Sequence, residues 1–133
     1  MKRKPVARRP EKPLTATELE MMNVIWHLGP CTVAQVREQL LPQRDLAYTS
    51  VSTIIRILEQ KGYLNSERVG RGHLYGAVLP KDEYQAMSLN HMVREVFNGT
   101  PSLVVRQLLD SDSLSAEDLA QIKAMLNKRV AKP

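Results

Sequence analysis

Cysteine is nearly missing from this chain of 133 residues: Cys31 stands alone, so no disulfide closes within it. A lone thiol fits a reducing compartment. No apolar run approaches the roughly 20 residues of a membrane-spanning helix. The basic start lacks the apolar stretch of a signal peptide, and a cytoplasmic location is expected. A catalytic set is lacking too. His27, His73 and His91 are scattered, none in a metal-ligand or triad pattern. His27 and Cys31 are four apart, but Gly29-Pro30 breaks any helix between them. Two ligands also fall short of a structural zinc site, and Cys31 is better read as packing. Gly70-Arg71-Gly72 lacks the Lys-Ser/Thr and following helix of a phosphate loop. No enzyme activity, metal or cofactor is expected.

Excess charge is also absent wherever the chain can fold. The formal net charge is +5, and residues 1–13 hold it all: Lys2, Arg3, Lys4, Arg8, Arg9 and Lys12 against Glu11. From residue 14 onward, cations and acids balance. A polyanion would therefore be met by the tail, or by charge grouped on one face. Three prolines and nothing to bury make residues 1–13 a disordered basic tail. Such a tail serves solubility or follows DNA phosphates, and composition leaves both open.

What is present is a set of well-punctuated helices. Leu14-Thr15-x-x-Glu18-Leu19, Cys31-Thr32-x-x-Gln35-Val36 and Leu114-Ser115-x-x-Asp118-Leu119 share one local grammar. A hydroxyl caps the helix, a polar residue at N3 reaches back, and an apolar pair fixes the entry angle. The first helix is expected over Ala16–Leu28, burying Leu19, Met22, Ile25 and Trp26. The second is expected over Val33–Leu41, with Val36 and Leu40 inward.

From Tyr48 to Val78 the chain reads YTSVSTIIRILEQKGYLNSERVGRGHLYGAV. Val51, Ile54, Ile55 and Leu58 form the apolar stripe of a third helix, which Lys61-Gly62 ends. Thr49, Ser52, Thr53, Arg56 and Gln60 form a polar face that is mostly uncharged. Two strands follow, Tyr63–Val69 and Leu74–Leu79, joined by Gly70-Arg71-Gly72. Hydroxyl and guanidinium groups on a free helix face suit base edges in the major groove. A basic hairpin tip suits the phosphate backbone or the minor groove. Candidate DNA-binding residues are Tyr48, Thr49, Ser50, Ser52, Thr53, Arg56, Arg68, Arg71 and His73. Any helix-hairpin unit would show a similar stripe and face, and Arg68 and Arg71 also read as solvated charges. The fold class expected is mostly α with a small β-wing: a winged helix-turn-helix over residues 14–79, then a helical segment over 80–130.

That segment is predicted to hold three helices, Pro80 to about Phe97, Ser102–Leu109 and Ala116–Val130. With only Tyr84 and Phe97 as aromatics they make a poor independent core. An identical chain is the simplest partner for them, and Val104, Leu108, Leu119, Ile122 and Leu126 are the candidate dimerisation residues.

The chain resembles the penicillinase-repressor family, the BlaI/MecI-type winged-helix regulators. The resemblance rests on LTATELEMMNVIW (14–26), TSVSTIIRIL (49–58), KGYL (61–64) and LSAEDL (114–119), and runs from about Leu14 to Arg129. It implies a homodimeric repressor of a palindromic double-stranded DNA operator, relieved by an inducing partner, a sensor protease or another agent. The family's cleavable Asn-Phe bond is replaced here by Arg106-Gln107, and the cysteine cluster of the copper-responsive branch is absent. The alternative is a winged-helix module that binds a protein through the same helix face.

Overall fold

The computed structural model describes residues 13–131, so the expected tail lies, Pro13 aside, outside the described residues. The order is α1 (Ala16–Leu28), α2 (Val33–Leu40), α3 (Tyr48–Gln60), β1 (Leu64–Val69), β2 (Gly72–Ala77), α4 (Lys81–Glu95), α5 (Pro101–Asp110) and α6 (Ala116–Ala131). It is a mostly helical winged helix-turn-helix followed by further helices. Two compact units divide within α4, between Leu89 and Asn90.

Local chemistry sets the first unit's helix ends. Thr15 Oγ1 accepts from Glu18 N while Glu18 Oε1 accepts from Thr15 N, and Thr32 and Gln35 repeat the exchange on α2. Each box satisfies two amide donors that a helix start leaves unpaired. At the other end of α3, Gly62 takes φ 89°. Its N–H donates to Glu59 O at 3.0 Å and Tyr63 N–H to Leu58 O at 3.0 Å, a Schellman closure. That closure keeps Tyr63 out of the strand in which it was expected.

The hairpin is also tighter than expected. Val69 pairs with Gly72, so only Gly70 and Arg71 form the turn, and β2 begins two residues before Leu74. Gly70, at φ 61°, supplies the positive φ that the first position of such a turn needs. Cys31 adds a bridge not foreseen: its N–H donates to Tyr75 O at 3.0 Å and Tyr75 N–H to Cys31 O at 2.7 Å. The buried thiol thus lies where the chain between α1 and α2 seals the edge of β2, and burial pushes the thiol above its ordinary pKa.

Met21, Met22, Ile25, Val36, Leu40, Val51, Ile55, Leu58, Tyr63, Leu64 and Tyr75 form the core, with Tyr84 from the first turn of α4. The buried stripe of α1 is Glu18, Met21, Met22 and Ile25, one position off the expected one. Leu19 and Trp26 are only half-buried. Trp26 stays at the rim because its indole N–H donates to Leu79 O at 2.9 Å and its ring lies 5.6 Å from Tyr84. The Tyr84 hydroxyl accepts from Leu14 N at 2.8 Å, tying the start of α1 to α4.

In the second unit α5 and α6 are well formed. Ser115 and Asp118 exchange hydrogen bonds of 3.0 Å as the sequence predicts, and Asn98-Gly99 take φ 52° and 77° at the break before α5. No described residue after Tyr84 is buried.

Candidate nucleic-acid interface

α3 presents its polar side outward. Val51, Ile55 and Leu58 are fully buried, while Tyr48, Thr49, Ser50, Thr53, Arg56 and Gln60 are exposed and Ser52 is half-buried. α1 and α2 have side-chain caps, whereas Ala47 at the start of α3 has none to offer. The first amides of α3 are thus left without a side-chain cap, the arrangement at which phosphate oxygens bind.

The seven-residue connection before α3 is longer than the tightest form of the motif, yet it is anchored. Arg37 Nε donates to Leu46 O at 2.8 Å, its guanidinium lies 3.9 Å from Asp45, and Arg44 pairs with Glu20 of α1 at 3.1 Å. These basic side chains brace the loop that aims α3. At the far end Lys61 Nζ donates to Glu18 Oε2 at 2.7 Å. Burial alone would raise the Glu18 carboxyl, but Lys61 and the Thr15 hydrogen bonds outweigh it and hold the pKa below its ordinary value. α3 is therefore fixed to α1 at one end and to α2 through its connecting loop at the other.

The wing stands beside α3. Leu64, Ser66 and Arg68 share a face with Ala77, Tyr75 and His73, their cross-strand partners. Ser66 Oγ donates to Glu59 Oε2 at 2.5 Å, locking the wing against α3. Burial raises the Tyr75 phenol, with Glu59 and Tyr48 adding to the effect and Arg56 offsetting part of it. Arg68 and His73 lie further out than Tyr75 along the same face of the hairpin. Arg71 occupies the second position of the turn, at the wing tip.

Two features of α3 escaped the sequence. Thr53 Oγ1 donates to Thr49 O at 2.8 Å, so this hydroxyl keeps only its acceptor capacity for a ligand. Ile57, 38% exposed, breaks the otherwise polar outer side. Its position four residues after Thr53 was the available signal. Among the described residues no group of three or more His, Cys, Asp or Glu is placed to hold a metal, and no helix is long and apolar enough to cross a membrane.

Residues 14–128 match the model of the penicillinase repressor family. This chain belongs to that family. The penicillinase repressor of Bacillus licheniformis is 25% identical over 115 residues, covering 86% of this chain and 90% of the relative. The transcriptional regulator BlaI of Mycobacterium tuberculosis is 40% identical over 70 residues, covering 52% of this chain and 51% of the relative. The solution structure of monomeric Bacillus licheniformis BlaI in complex with the blaP half-operator has a TM-score of 0.48 and 26% identity, covering 56% of this chain and 90% of that one. The family consists of transcriptional repressors, not enzymes, and the chain is a DNA-binding repressor. That decides against a winged helix serving only as a protein-binding module.

Proposed function

We propose that this repressor acts as a cytoplasmic homodimer on a palindromic operator. Each winged helix lays α3 in a major groove while the wing follows the flanking backbone, and the helices after the wing join the two chains. Tyr48, Thr49, Ser50, Ser52, Thr53 and Arg56 face the groove, and Arg68, Arg71 and His73 face phosphate or the minor groove. Residues 14–79 form the DNA-binding part and residues 80–130 the dimerisation part, with the first turn of α4 also anchoring the former through Tyr84.

The observation that carries the dimer is that no described residue of the second unit is buried. Leu108, Leu119 and Leu126 are 45%, 45% and 59% exposed, and Val104 and Ile122 are half-buried. Full burial of such a side chain from water gains about 1.5–3 kcal/mol, and roughly half of that is still to be gained by each of these, so the set favours self-association. An inducing partner, a sensor protease or another agent, relieves repression by disturbing these helices. Arg106-Gln107 gives a protease different chemistry from the family's Asn-Phe bond.

The deciding experiment pairs sedimentation equilibrium with gel shift against the promoters of the gene itself and its neighbours. A dimer that retards one of these sequences ahead of random DNA is expected. A chain that stays monomeric at micromolar concentration while binding one operator tightly would refute the dimer.

A further inference from the structure

The outer side of α3 carries less hydrogen-bonding capacity than its composition promises. Thr53 has committed its proton to Thr49 O at 2.8 Å, which orients the side chain and leaves a methyl group beside one acceptor oxygen. One turn further along the same side is Ile57, exposed and absent from the apolar side chains packed on the core. Residues four apart on a helix are surface neighbours. The Thr53 methyl and Ile57 therefore make a short apolar strip, bordered by Thr49, Arg56 and Gln60. A major groove offers one apolar feature to match such a strip, the 5-methyl group of thymine.

We infer that Ile57, with the Thr53 methyl, is a specificity-determining contact to thymine 5-methyl groups and commits the repressor to A·T pairs beneath the middle of α3. This rests on α3 being the helix that enters the groove. Four residues advance the helix by about 6 Å, against about 3.4 Å per base step. The two methyl contacts therefore fall within about two base pairs of each other.

The test begins with the full chain and a random-sequence duplex pool, from which its preferred site is selected. Each thymine of that duplex is then replaced by deoxyuridine, which removes only the methyl group, and affinity is read by fluorescence anisotropy. Wild type should lose about fourfold at one or two thymines, the effect of one buried methyl. Ile57→Ala should bind the thymine duplex about as weakly as wild type binds the uracil duplex. It should then lose nothing further at that position. Ile57→Ser, which carries no methyl group, should behave likewise, and agreement between the two variants guards against a folding defect. Thr53→Ser keeps the hydroxyl bond to Thr49 O, removes the methyl, and should cancel sensitivity at the second thymine. Thermal unfolding of each variant confirms a folded chain. If no sequence is enriched from the pool, the groove assignment of α3 falls and this contact with it. If a site is enriched but every uracil replacement is neutral, or costs wild type and variants alike, the methyl contact alone is overturned.

Discussion

The two halves of this chain use apolar residues in opposite ways. The first unit buries Met21, Ile25, Val51, Ile55 and Leu58 to 1% exposure or less, and its buried acid, Glu18, is paired with Lys61. The second has comparable apolar content in α5 and α6, yet Met125 and Val130 remain 62% and 74% exposed. Stable helices do not by themselves make a core. A helix needs a second apolar surface, and in the first unit three helices and a hairpin supply it. The second unit's surplus apolar surface points outward, where a second chain can use it.

The sharpest way to break this contrast is Ile122→Asp in the full chain. A charge placed in an apolar interface has no partner. Dimer should give way to monomer in sedimentation equilibrium, and operator affinity should fall about 100- to 10,000-fold through loss of the tethered second half-site. A chain ending at Leu89, which keeps Tyr84, should still fold as a monomer by circular dichroism. An unfolded product would show that the first unit depends on the second.

Core truncation comes next in size. Leu58→Ala should cost about 2–5 kcal/mol in urea unfolding. Leu126→Ala in the full chain should leave the unfolding of the first unit unchanged and weaken only the concentration-dependent part of the stability. Equal losses for both at high dilution would erase the distinction between the units.

Within the interface, Arg56→Ala and Ser52→Ala should each cost about 1–3 kcal/mol against operator and little against random DNA. Arg71→Ala should weaken binding to all sequences and reduce its salt dependence. Three variants with wild-type operator affinity would remove α3 and the wing from the groove.

Glu18→Gln is a smaller change. Glutamine preserves the capping geometry, but the ion pair to half-exposed Lys61 is lost, for about 1 kcal/mol. The pH dependence has a definite sign. Glu18 has its folded pKa lowered from 4.5, so its stabilisation is present above that value and disappears as pH falls through the lowered one. Wild type and variant should therefore converge in acid denaturation. A gap that persists there would assign the effect to packing rather than charge.

The smallest expected effect on stability concerns residues 1–12. Their removal should leave the unfolding midpoint unchanged while lowering DNA affinity and flattening its salt dependence, because up to six phosphate-neutralising cations go with them. An unchanged salt slope would leave the tail a role in solubility.

Local signals in the sequence accounted for most element ends. Hydroxyl caps with acid or amide at N3 marked α1 and α2, Gly62 closed α3, and Asn98-Gly99 broke the chain before α5. Each of these is decided within a few residues, by amide donors needing acceptors or by a positive φ. The polar side of α3 was equally legible, since its apolar stripe left no other side for it. Tertiary structure decided what depends on residues far apart. The Cys31–Tyr75 bridge and the Trp26–Leu79 and Leu14–Tyr84 hydrogen bonds span 44 to 70 positions and follow no local pattern. The burial of Glu18 depended on Lys61, 43 positions away, which reached it only because α1 and the end of α3 meet. Even Thr53 and Ile57 became a pair only when packing chose which side of α3 faces out. Caps and turns are local free-energy minima that short stretches reach alone, whereas burial and long-range pairing exist only once the elements have met.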